Sequence, residues 1–127
     1  MAKKILVVDD ESSIRDLLKD IFGDAGYNVL LADGAELAIE ILKEEDIKVI
    51  FLDLKLFGMN GIELCKQIRK NNPIAIIFAM TGWGALYDIE ECREAGFDDF
   101  FTKPAQPETL LKAVDDAFEK LDRWRKR

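Results

Sequence analysis

Hydrophobic positions along the chain fall into two alternating kinds of stretch. Residues 5–8, 29–32, 49–52 and 74–80 are short, apolar and rich in β-branched side chains, and residues 97–101 form a weaker fifth. Runs of this length and composition predict strands. The first, third and fourth are continuously apolar, as parallel strands covered on both faces are. Between them the period changes. Ile14, Leu17, Leu18, Ile21 and Phe22 repeat at helical spacing, with Ser12 as the expected N-cap and Gly26 at the expected stop. Leu110, Leu111, Val114, Ala117, Phe118 and Leu121 repeat the pattern in a last helix entered through Pro107. Shorter helices are predicted over 35–43, 62–70 and 85–95. The sum is a βα alternation, and it predicts an α/β fold with a doubly wound, five-stranded parallel sheet in one domain over 1–127.

Composition narrows the classes of function. The chain has 127 residues, enough to bury a core without disulfides or a metal staple. Cys65 and Cys92 have no CxxC spacing and read as reduced structural thiols. A net charge of −7 argues against direct nucleic-acid binding, which needs a basic surface. The basic residues Arg123, Arg125, Lys126 and Arg127 read as cations placed favourably at the end of the last helix. No apolar run is long enough to span a bilayer, and the N-terminus has neither a signal nor a transit pattern, so a cytoplasmic location is expected. The chain contains no histidine. Histidine-based triads, histidine metal sites and phosphohistidine chemistry on this chain are thereby excluded, and any phosphoryl chemistry must use a carboxylate.

Open α/β sheets bind ligands beyond the carboxyl ends of their strands. Asp9 and Asp10 follow the first strand, Asp53 the third, Thr81 the fourth, and Lys103 with Pro104 the fifth. Each alone has an ordinary alternative as a helix cap or a loop residue. Together they define one edge. If the first and third strands are neighbours, three carboxylates converge and require a cation. With only oxygen donors at hand, Mg²⁺ fits better than Ca²⁺, because no twelve-residue calcium loop is present.

Asp9-Asp10, Asp53, Thr81 and Lys103-Pro104, in this order over essentially the whole chain, resemble the signature of response-regulator receivers. Asn60-Gly61 and the segment from Gly96 to Pro104 are similar to the family's loop after the third strand and its fifth-strand segment. The resemblance implies the flavodoxin-like strand order 2-1-3-4-5. It implies two-component signal transduction: a histidine kinase or phosphotransfer protein donates a phosphoryl group to Asp53, with Mg²⁺ held by Asp10, Asp53 and the backbone carbonyl of Lys55, and Asp9 acting through bound water. Lys103 would pair with Asp53 before transfer and with a phosphoryl oxygen afterwards, aimed inward by a cis peptide bond between Lys103 and Pro104. Thr81 and Phe100 would form the switch that remodels the face of the fourth helix, fifth strand and fifth helix for a downstream effector protein. The protein would be a monomer or a phosphorylation-dependent dimer, and no enzyme beyond its own phosphoryl transfer and dephosphorylation.

Four positions depart from the usual pattern or modulate it. Phe57 stands where the family usually has proline, and Phe100 lacks the hydroxyl of the commoner tyrosine. Lys55 and Trp83 occupy places that in the family influence the lifetime of the phosphoryl group. The competing reading is a receiver-shaped interaction module that works without phosphorylation. A haloacid-dehalogenase-type phosphatase is disfavoured, since it needs a second acid where this chain has Lys55.

Overall fold

The computed structural model describes residues 3–56, 59–82, 89–103 and 105–125. Five strands alternate with five helices: β1 (Lys4–Val8), α1 (Ser12–Asp24), β2 (Asn28–Ala32), α2 (Ala35–Glu44), β3 (Val49–Asp53), α3 (Gly61–Asn71), β4 (Ile76–Thr81), α4 (Ile89–Ala95), β5 (Asp99–Thr102) and α5 (Pro107–Arg125). The sheet is wholly parallel in the order β2-β1-β3-β4-β5. The expected architecture and strand order are both observed.

Alternation along the central strands divides the core in two. Leu6, Val8, Ile50, Leu52, Ile77 and Ala79 face α2, α3 and α4, meeting Ala38, Leu64, Cys65, Ile68 and Ala95. Ile5, Val7, Val49, Phe51, Phe78 and Met80 face α1 and α5, meeting Leu18, Phe22, Leu110, Val114 and Phe118. On this second face Phe51 is a hub. Its ring centroid lies 5.2 Å from Phe22, 4.8 Å from Phe78 and 6.3 Å from Phe101, so one aromatic side chain ties α1, β4 and β5 to the central strand. Across the same side, Tyr27 stacks on Phe118 and donates its hydroxyl to Asp115, joining the start of β2 to α5.

Local chemistry explains where the elements start and stop, and where expectation missed. Glu11, not Ser12, is the N-cap of α1 and makes no side-chain cap; Ser12 is already helical. The Glu11 N–H is taken by Asp9 Oδ1 at 2.9 Å, which closes the turn one residue early. Gly26 ends α1 as expected, at φ +96°. β4 begins at Ile76, because the N–H of Ala75 returns to Asn72 and leaves Ile74 exposed in a turn. β5 begins at Asp99, two residues later than its apolar run: the Asp98 carboxylate accepts the Ile77 N–H and fastens the preceding segment outside the ladder. α4 is described from Ile89; the rest of its expected span, 85–88, lies outside the described residues.

At the end of the sheet away from the strand carboxyl ends, Arg69 closes the fold. Its guanidinium donates to the carbonyls of Pro73 (2.9 Å), Ala75 (2.5 Å) and Gly96, and pairs with Asp98 at 3.1 Å. Gly96 sits at φ +108°, and a Cβ there would lie 2.9 Å from Arg69 Nε, so left-handed backbone and close approach both demand glycine. Cys65 and Cys92 form no disulfide. Cys65 is buried and donates to Ala95 O at 3.4 Å, and burial pushes its thiol up to about 12, in keeping with a structural thiol. Among the described residues no helix is long and apolar enough to cross a membrane. Arg69→Ala should cost about 2–3 kcal/mol through the carbonyls it leaves unpaired, read as a lower urea midpoint at unchanged m value.

Candidate functional site

The carboxyl ends of β1, β3, β4 and β5 bring the expected residues together. Asp9 follows β1 and is fully buried, while Asp10 beside it is exposed. Asp53 is the last residue of β3 and is 4% exposed. β1 and β3 are adjacent and in register, so Asp9 and Asp53 leave the sheet side by side. Thr81 ends β4, and its carbonyl accepts the Lys103 N–H at 2.8 Å, which seats Lys103 next to the acid pair.

Lys103 is the cation that makes this burial tolerable. Its Nζ lies 2.7 Å from Asp9 Oδ2 and 3.2 Å from Asp53 Oδ2, so the closer partner is Asp9 rather than the expected Asp53. Buried Asp9 Oδ2 makes this ion pair with Lys103 and accepts no hydrogen bond. Burial works to lower the Lys103 pKa, but contact with Asp9 and the charges of Asp9 and Asp53 outweigh it and hold the ammonium above the ordinary lysine range. Burial also raises the Asp53 pKa. The Lys55 N–H, donated to Asp53 Oδ1 at 3.1 Å, opposes that shift, the Asp9 charge adds to it, and Lys103 opposes it, leaving a value of about 6 against an ordinary 3.8.

Carboxylate oxygens of Asp9, Asp10, Glu11 and Asp53 lie within 4.8 Å of one another, a grouping that could hold a metal ion. Asp9 Oδ2, buried beside the Lys103 charge without a hydrogen bond, and the all-oxygen donor set fit a hard divalent cation. Lys55 joins the site through its backbone, and its side chain is exposed. Phe100 is on β5, 49% exposed. Phe57, Trp83 and Pro104 lie outside the described residues, so the expectations placed on them stay with the sequence.

Two residues were not anticipated. Glu11 places Oε1 3.3 Å from Lys103 Nζ, and Arg15 donates from Nη1 to the Asp9 carbonyl at 2.7 Å. Glu11 could have been suspected as the acid directly after the pair; Arg15 carries no sequence signal, because only the turn into α1 brings it back.

The end of β3 is held from beneath by α3. Asn60 caps this helix by accepting the Glu63 N–H at 2.9 Å, and Gly61 N donates to Leu54 O at 2.9 Å. A Cβ on Gly61 would strike the Asp53 carbonyl oxygen and stand 2.8 Å from Leu54 Cα, so glycine here is a matter of close approach.

A doubly wound parallel sheet with paired acids, a lysine and a threonine at adjoining strand ends defines the receiver class of signalling folds. The chain belongs to the response regulator receiver domain family, whose model matches residues 5–115. It is 37% identical over 117 residues to the chemotaxis protein CheY of Thermotoga maritima, covering 91% of this chain and 97% of that protein. It is 38% identical over 114 residues to the uncharacterized transcriptional regulatory protein YrkP of Bacillus subtilis, where the match covers 90% of this chain but about half (48%) of the relative. The chain spans still less, 30%, of a cyclic di-GMP phosphodiesterase of Thermotoga maritima. The crystal structure of a CheY-like receiver domain protein from Methanospirillum hungatei superposes with a TM-score of 0.88 at 32% identity, covering 99% of this chain and 98% of that one.

Two outcomes are expected at this site. Without divalent cation, folded Asp53 binds its proton near pH 6 and the unfolded residue near 4, so folding stability falls as pH rises through that window and the full cost persists above it. Asp53→Asn should therefore stabilise the metal-free protein by about 2 kcal/mol at pH 7, with no difference from the parent below about pH 4, in urea melts across pH. Gly61→Ala should destabilise by about 1–3 kcal/mol through forced displacement of the Asp53–Leu54 backbone, measured by the same melts.

Proposed function

We propose that this chain is a phosphorylation-controlled receiver in two-component signalling that takes a phosphoryl group onto Asp53. The observation that carries the reading is the buried pair Asp9 and Asp53 sharing the Lys103 ammonium while Asp9 Oδ2 lacks a hydrogen bond. A pair of acids so costly to bury is the mark of a site tuned for a charged ligand.

Asp53 attacks phosphorus through a carboxylate oxygen that needs no general base at neutral pH. One P–N bond of a phosphohistidine donor breaks, one O–P bond to Asp53 forms, and the donor imidazole keeps the electron pair. Asp9, Asp10, Asp53 and the Lys55 carbonyl would hold Mg²⁺, which when bound neutralises phosphoryl charge. Lys103 supplies the second positive charge from the opposite side and transfers its contact from Asp53 to a phosphoryl oxygen. Thr81, joined to Lys103 through its carbonyl, offers a hydroxyl to the same group. Its movement would free space for Phe100, now half exposed on β5, to turn inward and alter the α4-β5-α5 face.

A histidine kinase or phosphotransfer protein would be the donor and a downstream effector the receiver of the signal. The chain acts in the cytoplasm, as a monomer or a phosphorylation-dependent dimer, and performs no catalysis beyond its own phosphorylation and dephosphorylation. Intact-mass measurement with acetyl phosphate should give a gain of one phosphoryl group that requires Mg²⁺ and is lost in Asp53→Asn. A parent protein that gains no mass would instead be a receiver-shaped docking module.

A further inference from the structure

Glu11 belongs to the acidic group that could hold a metal ion, and its carboxylate also touches the ammonium on which phosphoryl transfer to Asp53 depends. Three acids crowd one ammonium: Lys103 Nζ lies 2.7 Å from Asp9 Oδ2, 3.2 Å from Asp53 Oδ2 and 3.3 Å from Glu11 Oε1. A lysine ammonium has three N–H bonds and no more. Two of these are given to Asp53 and Glu11, so a phosphoryl oxygen that engages the ammonium competes with them and with the Asp9 charge beside it.

The three differ in how readily they yield. The Asp9 side chain is 1% exposed and the Asp53 side chain 5%, whereas that of Glu11 is 58% exposed at the mouth of the site. Glu11 is nonetheless placed by its backbone: its N–H is held by Asp9 Oδ1 at 2.9 Å, and its carbonyl accepts the N–H groups of Ile14 and Arg15. Arg15 fixes the same turn from the other side through the Asp9 carbonyl. The Glu11 carboxylate is therefore presented on an ordered turn, with its side chain open to solvent.

Resting on the reading of Asp53 as phosphoryl acceptor, we propose that Glu11 is a positioning residue that holds Lys103 at the mouth of the site and slows acceptance of the phosphoryl group. Until the Glu11 contact breaks, the ammonium is shared outward and is less available to meet an incoming phosphoryl oxygen. Because the restraint acts on Lys103 and not on the donor, it applies to every donor. A second, separable effect of the same charge would be repulsion that grows with donor charge, felt more by acetyl phosphate than by phosphoramidate, whose protonated nitrogen lowers its net charge.

The test compares the parent with Glu11→Gln, an isosteric change at an exposed position, using two small donors at saturating Mg²⁺ and several salt concentrations. With acetyl phosphate the P–O bond to acetate breaks and acetate leaves with the electron pair. With phosphoramidate, whose nitrogen already carries the extra proton, the P–N bond breaks and ammonia leaves. In both, the new bond is Asp53 O–P. The expected result is a faster initial rate of mass gain in Glu11→Gln by about two- to fivefold with both donors, shrinking as salt screens the ion pair in the parent. No acceleration, or acceleration with acetyl phosphate alone, overturns the proposal; the latter result assigns the charge to donor repulsion. A parent that gains no phosphoryl group from either donor refutes the acceptor reading itself, an outcome distinct from any ratio of rates, and takes this proposal with it.

Discussion

Two carboxylates are forced side by side by the register of β1 against β3, and the structure depends on a lysine from β5 to tolerate them. Parallel pairing ends both strands at the same edge, so Asp9 and Asp53 have no freedom to separate. Lys103 reaches them because β5 is two strands from β3, and its backbone is tied to Thr81 on the strand between. The resulting balance is incomplete. Asp9 keeps an oxygen without a hydrogen bond, and Asp53 is held above the ordinary carboxylate range. A site built for stability alone would fill this space with apolar side chains. The residual cost marks the edge as a candidate binding site rather than part of the packed core.

The rest of the fold serves to keep that edge rigid. Phe51 locks β3 from one face through three aromatic neighbours, and Leu52 is packed from the other. Gly61 allows α3 to press directly against the Asp53–Leu54 backbone. Arg69 closes the opposite end of the sheet by taking up carbonyls that would otherwise stand unpaired between α3, β4 and β5. Strand ends held this firmly can keep charges in a costly arrangement, since relaxing one of them would require moving a core element.

Most of this was readable from the sequence because it rests on period and position. Continuous apolar runs marked the buried strands, and their ends marked the acids, the threonine and the lysine. What escaped were features decided by hydrogen bonds between elements distant in the chain. The start of β5 depends on Asp98 accepting from Ile77, which apolar pattern cannot register. The cap of α1 moved to Glu11 because Asp9 claimed its N–H. Likewise, the preference of Lys103 for Asp9 over Asp53 is set by where the chain leaves β5, and neighbouring residue types say nothing about it.

Among the described residues, apart from Glu11 and Arg15 at the first turn of α1, the groups that converge on the site come from a strand end or the residues just beyond it, and the outward faces of the helices contribute none of them. Such a division lets addressing evolve apart from reaction: surface residues of the helices can be exchanged to suit a new neighbour while the charged centre is left untouched. Duplicated copies of one such gene could thus diverge in whom they answer long before they diverge in what they do.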